Sequence, residues 1–254
     1  MWLRQVALVV HDLKPVVEQL GNVLGLKVAF NDPAVGMFGL VNAVMPVGDE
    51  FLEVVQPVKD DASASRYLHR RGGDAGYMVI LQTGDALAER KRILGLGARK
   101  IAEHEGASVF THFHPGDFGG VLTSVDSVTG VENWFDHDSD WPYAGRDWRK
   151  ARNDISTGIL AVTIQGRAPE ALAARWAQLL DQPLREGARG PEIALRRGVI
   201  RFVEPVDADG TGVVGIDIAV ADPQACLERA RTVGVLVEGN AVRICGTSFE
   251  LVRA

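Results

Sequence analysis

The sequence predicts an α+β protein made of tandem β-α-β-β-β modules, and three observations carry that prediction. The first 57 residues alternate a strand, a helix and three strand-like runs, the same order returns three times, and an aromatic stretch without period separates the second and third copies.

In the first module, Leu3 to Val10 reads as an apolar strand. Asp12 then caps a helix whose apolar residues Leu13, Val16, Val17, Leu20, Val23 and Leu24 recur at helical spacing, and Gly25 ends it. Three strand-like runs follow at Lys27 to Asn31, Phe38 to Met45 and Glu50 to Val55, separated by Asp32-Pro33 and Gly48-Asp49 turn signals. Residues from Lys59 to Asp74 are polar and read as a linker with a short helical turn. The pattern resumes with a strand from Tyr77 to Thr83, a helix from Asp85 to about Leu96, and strands at Arg99 to Ala102, Ser108 to His114 and Gly119 to Val125.

Thr129 to Asp154 interleaves Trp134, Trp141, Tyr143 and Trp148 with acidic and basic residues, which suits a structured connector or a lid. A third module begins with the strand Gly158 to Gln165 and the helix Pro169 to about Leu180. A fourth begins with the strand Val213 to Val220 and the helix Pro223 to Val233. The expected organisation is therefore a first module pair over 1–135, a connector over 136–154 and a second, diverged pair over 155–254.

Composition narrows the function classes. The chain has 254 residues, is 46% hydrophobic and 24% charged, and carries a net charge of −6. That balance fits a globular protein and disfavours nucleic acid or an anionic membrane as partner. No apolar run approaches the roughly 18 residues of a membrane span, and no leader pattern precedes the first strand, so a cytoplasmic location is expected. Cys226 and Cys245 have no paired spacing and are read as reduced.

Two polar residues sit where core residues belong. Alternation puts Gln5 on one strand face with Leu3, Ala7 and Val9, and Glu53 on one face with Phe51 and Val55. Either alone reads as a strand-end residue with one hydrogen-bond partner, and the pair together points toward a functional site. Asn42 is placed to orient a ligand beside Gln5. Tyr77, His112 and His114 are candidate acids, and Trp134 is a candidate ligand contact. Arg71, within the cluster Arg66, His69, Arg70 and Arg71, is a candidate clamp for an anionic group.

The four modules, with the Gln-Val-Ala-Leu-Val-Val-His-Asp run from Gln5 and the His-Pro-Gly-Asp-Phe-Gly-Gly-Val-Leu run from His114, resemble the vicinal oxygen chelate superfamily. That group includes glyoxalase I, methylmalonyl-CoA epimerases, extradiol dioxygenases and bleomycin-resistance proteins, and the run from His114 is most similar to the epimerases. The resemblance implies paired modules whose curved mixed sheets face each other across a cavity, with a divalent metal held by the first and last strands of each paired module. Those ligand positions fall on Gln5 and Glu53 in the first module, Met78 and Ser124 in the second, Leu160 or Ala161 with Arg201 in the third, and Gly215 with Glu250 in the fourth. The ligand set is thus incomplete, and the last two modules read as a structural remnant that binds no metal.

Two functions follow from this reading. One is a lyase or isomerase acting on a small oxygenated molecule, with Glu53 as base. The other is a non-catalytic protein of the bleomycin-resistance type that sequesters a small ligand. Either accommodates a homodimer.

Overall fold

The computed structural model describes residues 1–254. The first half contributes strands β1 (Trp2–Val9), β2 (Leu40–Val47), β3 (Glu50–Pro57), β4 (Ala75–Gln82), β5 (Lys100–Glu105), β6 (Ser108–Phe113) and β7 (Leu122–Val128). They form one seven-stranded sheet in the order β2-β3-β1-β4-β7-β6-β5. The first two modules therefore join edge to edge, through antiparallel pairing of β1 with β4, while β1/β3 and β4/β7 run parallel. The second half repeats the scheme with β8 (Ser156–Gln165), β9 (Leu184–Gly187), β10 (Gly190–Ala194), β11 (Val199–Val203), β12 (Gly212–Val220), β13 (Leu236–Glu238), β14 (Ala241–Ile244) and β15 (Thr247–Arg253). Its sheet runs β13-β14-β15-β12-β8-β11-β10-β9, joined through antiparallel β8/β12.

Three of the five α-helices start where an aspartate side chain satisfies free amides, whereas α2 (Ser63–Arg71) and α4 (Pro169–Leu180) follow Ala62 and Ala168 without a side-chain cap. Asp12 caps α1 (Leu13–Leu24), Asp85 caps α3 (Ala86–Gly95) and Asp222 caps α5 (Pro223–Thr232), each accepting from backbone N–H groups of the first turn. The polar segment after β3 holds a full nine-residue helix, α2 (Ser63–Arg71), closed by Gly72 in the left-handed region. Its basic residues stand in the last turn, where the helix dipole favours cations. One expected strand is absent from the sheet. Lys27 to Asn31 makes only an isolated bridge, Phe30 to Val44, because the 3₁₀ turn Pro33–Phe38 leads the chain back to β2.

One apolar cluster of 43 buried residues draws on all four modules and on α1, α3, α5 and α4 (Pro169–Leu180). The two halves are thereby packed on a common core, and they also touch at backbone level. Gly48 has φ +65°, and a Cβ there would collide with the carbonyl oxygen of Thr157.

The opposite face of the first sheet is not solvent. Trp141, Ala144 and Trp148 from the connector bury themselves with Ala7, Val44, Phe51, Met78, Ile80 and Leu122. The connector is thus a structured cover over the sheet face that carries Gln5 and Glu53, held by the T-shaped Phe51–Trp148 pair at 4.9 Å. A bulge refines the alternation expected for β1. Leu3 pairs with Leu81 and Gln5 with Ile80, so Arg4 is the extra residue. Leu3 consequently packs in the shared core with Val6 and Leu8, on the face opposite Gln5 rather than beside it.

Candidate functional site

A cavity of about 520 Å³ opens on that covered face. Side chains from all seven strands line it, from Leu40 and Asn42 on β2 to Ile101 and Ala102 on β5. Since β2 and β5 are the two edges of the sheet, the sheet must curl around the cavity to bring them to one space. The lining is largely apolar.

Glu53 is 7% exposed on β3, and both of its oxygens are held. The Gln5 amide nitrogen donates to Oε2 at 2.8 Å and the Asn42 amide nitrogen donates to Oε1 at 2.6 Å. Behind them, the Trp141 indole N–H donates to Gln5 Oε1 at 2.7 Å and the Asp32 backbone N–H donates to Asn42 Oδ1 at 2.7 Å. An indole nitrogen can only donate, so Gln5 must turn its carbonyl to Trp141 and its amine to the carboxylate. Burial raises the Glu53 carboxyl above its ordinary value, against the opposing pull of the Asn42 and Gln5 amides.

A second buried carboxyl lines the same cavity. Asp126 on β7 is 3% exposed, and burial pushes its pKa up to about 8, opposed only by a short hydrogen bond from the Ser124 hydroxyl. Across the ladder Phe110 stands opposite Asp126 and His112 opposite Ser124. The two rings stack at 4.5 Å, and His112 also meets Phe38 of the 3₁₀ turn at 5.5 Å. Burial lowers the His112 imidazole to about 4, so it is neutral at pH 7. Tyr143 from the connector lines the cavity too, with a buried hydroxyl that lies beside the Ser108 side chain without a well-formed hydrogen bond.

Of the residues singled out from sequence, Gln5, Asn42, Glu53, Tyr77 and His112 meet in this cavity. Tyr77 reaches it from a second bulge, where Ala7 pairs with Met78 and Leu8 with Gly76, and burial raises its phenol to about 12. Three others lie elsewhere. His114 caps the 3₁₀ turn Pro115–Phe118, with Nδ1 accepting from the Gly116 N–H at 3.0 Å beside the Arg99–Asp117 pair. The nine-residue run it opens places Phe118 edge-on to Trp176, so that run serves packing between the halves. Arg71 is committed to Asp207, Asp209 and the Thr211 carbonyl of the second half. Trp134 lies in the connector beside Gly84, over a separate shallow depression. Asp126 and Tyr143 are the functional candidates that the sequence reading passed over. Asp126 lies just beyond the expected strand end at Val125, and Tyr143 sits in a segment without period.

A scan of family models matches residues 6–180 to a glyoxalase-like domain, a span that covers more than half of the chain. The chain belongs to the glyoxalase-like family. Among curated proteins, this glyoxalase-like chain is 27% identical over 135 residues to an ethylmalonyl-CoA/methylmalonyl-CoA epimerase of Cereibacter sphaeroides, covering 50% of the chain and 97% of that enzyme. Among solved structures, a 4-hydroxymandelate synthase variant from Streptomyces coelicolor matches with TM-score 0.67 and 20% identity over 92% of the chain and 75% of its own. A methylmalonyl-CoA epimerase from the same organism matches with TM-score 0.48 and 23% identity over 52% of the chain and 98% of its own. The first of these two structures extends the likeness of fold over both module pairs.

The glyoxalase-like family implies a divalent metal between Gln5 and Glu53, but the donor set here does not fit one. Gln5 turns its carbonyl to Trp141 and its amide N–H to Glu53, so it presents no oxygen to an ion beside Glu53, and Met78 and Ser124 complete the set poorly. A different group, Asp49, His137 and Asp138, brings three potential ligand atoms within 4.8 Å of one another. Arg152 and Arg197 also pair with Asp49, so guanidinium groups supply the positive charge there. We expect neither EDTA nor added Mg²⁺ or Ni²⁺ to move the thermal midpoint of the wild type. Trp141→Phe, which strands the Gln5 carbonyl, should cost about 1–2 kcal/mol in urea unfolding. A divalent ion that stabilises the wild type but not Glu53→Gln would restore the metal site.

In the second half, a buried ionic cluster occupies the matching sheet face. Arg201, at the position of Glu53, donates to Glu192 at 2.9 Å, to Asp217 at 3.0 Å and to the Thr163 hydroxyl at 3.2 Å. A guanidinium on that strand leaves no place for a cation. No helix of the chain is long and apolar enough to cross a membrane.

Proposed function

We propose that this protein is an isomerase- or lyase-type enzyme that moves a proton on a small, uncharged, carbonyl-bearing molecule. The observation that carries this reading is Glu53, a carboxyl with raised pKa in an apolar cavity, held on both oxygens by amides that fix its direction. Glu53 removes a proton from the carbon next to the carbonyl, and the electron pair moves onto the carbonyl oxygen. Returning that proton to another face or another carbon gives an isomer, and expelling a neighbouring group gives elimination. Gln5 and Asn42 keep the base aimed, each braced by a donor of its own.

Charge supports an uncharged substrate. Asp32, Glu53 and Asp61 line the cavity against Lys59 alone, burial holds Asp126 in its neutral form at pH 7, and Arg71 is engaged elsewhere. A ligand carboxylate would enter a space already rich in acids, which separates this reading from the acyl-CoA diacids named for the similar epimerases.

The test needs no known substrate. A panel of neutral ketones, aldehydes and thioesters is incubated with the protein in D₂O, and deuterium entry at the carbon next to the carbonyl is followed by NMR. Wild type should catalyse exchange on at least one compound, and Glu53→Gln should slow it by about 100-fold or more while leaving ligand affinity nearly intact. Compounds that bind in the cavity without exchanging would instead identify a sequestering protein.

A further inference from the structure

The cavity contains a polar wall that the proton-transfer reading does not use. It is made by Asp126 and Tyr143, with Ser124 paired to Asp126 behind it and Phe110 and His112 also lining the cavity. Ser124 Oγ pairs with Asp126 Oδ1 and lies 3.2 Å from the Thr111 carbonyl oxygen, and no protein group pairs with Asp126 Oδ2. The Tyr143 hydroxyl is buried beside the Ser108 side chain without a well-formed hydrogen bond to it. Its ring stands edge-on to Trp141 at 4.9 Å, and Trp141 is the indole that braces Gln5 against Glu53. The base and this wall are thus fixed by one tryptophan. Lys59, on the segment after β3, is the one lysine or arginine among the residues lining the cavity.

We infer that Asp126 and Tyr143 form an oxyanion hole, in which a neutral carboxylic acid and a phenol donate hydrogen bonds to the oxygen of an enolate that Glu53 generates. The inference rests on the proton-transfer reading and names its electrophilic half. Proton removal by Glu53 leaves negative charge on the substrate oxygen, and that charge must be met in an apolar space. A carboxyl kept protonated by its apolar surroundings can donate to such an oxygen, and burial raises Asp126 in that direction. No proton leaves Asp126 or Tyr143 in the step: both hydrogen bonds shorten as charge develops and relax when the carbon is reprotonated. The arrangement also specifies the substrate class. It is a neutral compound with one carbonyl oxygen that reaches the wall, an acidic C–H that reaches Glu53, and a flat or apolar body that lies along Phe38, Phe110 and His112. A vicinal pair of oxygens is not required, because no metal is being chelated.

The experiment uses 2-naphthol as a rigid mimic of an enolate, bound to Glu53→Gln, whose amide imitates the protonated base present when the enolate exists. Fluorescence reports both binding and whether the probe is naphthol or naphtholate. In that background, Tyr143→Phe and Asp126→Leu should each weaken binding by about tenfold or more, whereas Asp126→Asn, which keeps an N–H donor, should retain most of it. If Asp126→Leu does not fold, the infrared carbonyl band of a protonated carboxylic acid is the second readout. It should be present in Glu53→Gln at about pH 7 and absent after Asp126→Asn is added. Absence of naphthol binding, binding indifferent to Tyr143→Phe, or absence of that band overturns the inference. Such a result beside intact Glu53-dependent exchange removes the hole alone. Naphthol binding with the expected pattern beside no exchange on any carbonyl compound removes the proton-transfer reading instead.

Discussion

Replacing Asp126 with asparagine is expected to abolish a stability loss of about 4 kcal/mol that the wild type suffers between about pH 5 and about pH 8. The carboxyl has an ordinary value of 3.8 and is pushed up to about 8 in the folded chain, by burial against one opposing hydroxyl. Between those values the unfolded chain has released this proton while the folded chain retains it. Raising the pH therefore favours unfolding by about 1.4 kcal/mol per unit, beginning above about pH 4 and ending near pH 8. Glu53, raised in the same direction, adds a slope of the same sign, so the comparison of wild type with Asp126→Asn isolates the Asp126 share. His112, Tyr77 and Tyr143 on the cavity face are neutral at pH 7, the other charged lining residues Asp32, Lys59 and Asp61 are common to both proteins, and the asparagine carbonyl can still accept from Ser124. Urea unfolding at several pH values measures the slopes. Parallel curves for the two proteins would mean that Asp126 is ionised when folded, which would also deprive the oxyanion hole of its acid.

The module repeat was legible because each copy announces itself locally. Asp12 is a helix cap in both sequence and structure, Asp85 and Asp222 cap the helices expected from Asp85 and Pro223, and strand periodicity before them marks β1, β4 and β12. Gln5 and Glu53 were legible for the opposite reason, as polar interruptions of apolar strands that only a cavity or a buried hydrogen bond explains. Asp126 escaped because β7 is already rich in Thr and Ser, so one more polar residue near its end breaks no pattern. Tyr143 and Trp141 act through long-range packing across more than 130 residues to Gln5, which no local period encodes. Arg71 and His114 misled for the converse reason. A basic cluster and a turn histidine look functional in isolation, but Asp207 and Asp209 neutralise the first and a 3₁₀ cap uses the second. The bulge at Arg4 belongs to the same class. It depends on how β1 registers against β4, and it decides which of Leu3 and Gln5 turns toward the cavity.

Arg201→Ala should destabilise the protein by about 3 kcal/mol, although Arg201 lies far from the proposed chemistry. The side chain is 8% exposed and holds Glu192 and Asp217, which are 9% and 6% exposed, on the face where the first sheet has its cavity. Alanine would leave two carboxylates facing each other with their shared cation gone. Arg189 still reaches Asp217 at 2.6 Å and Arg185 still reaches Glu192 at 3.3 Å, and these half-exposed partners hold the cost at the lower end of the range for a broken buried pair. Replacing all three residues together, as Arg201→Met with Glu192→Leu and Asp217→Leu, should recover most of that loss, because removing a buried ionic cluster entirely also removes its desolvation. The contrast separates two accounts of the second half. A single variant as stable as the wild type would mean that the cluster is solvated and the face is open to a ligand. A costly single variant and a rescued triple variant identify the face as a filled structural core, which leaves the cavity around Glu53 and Asp126 as the place where this chain does its chemistry.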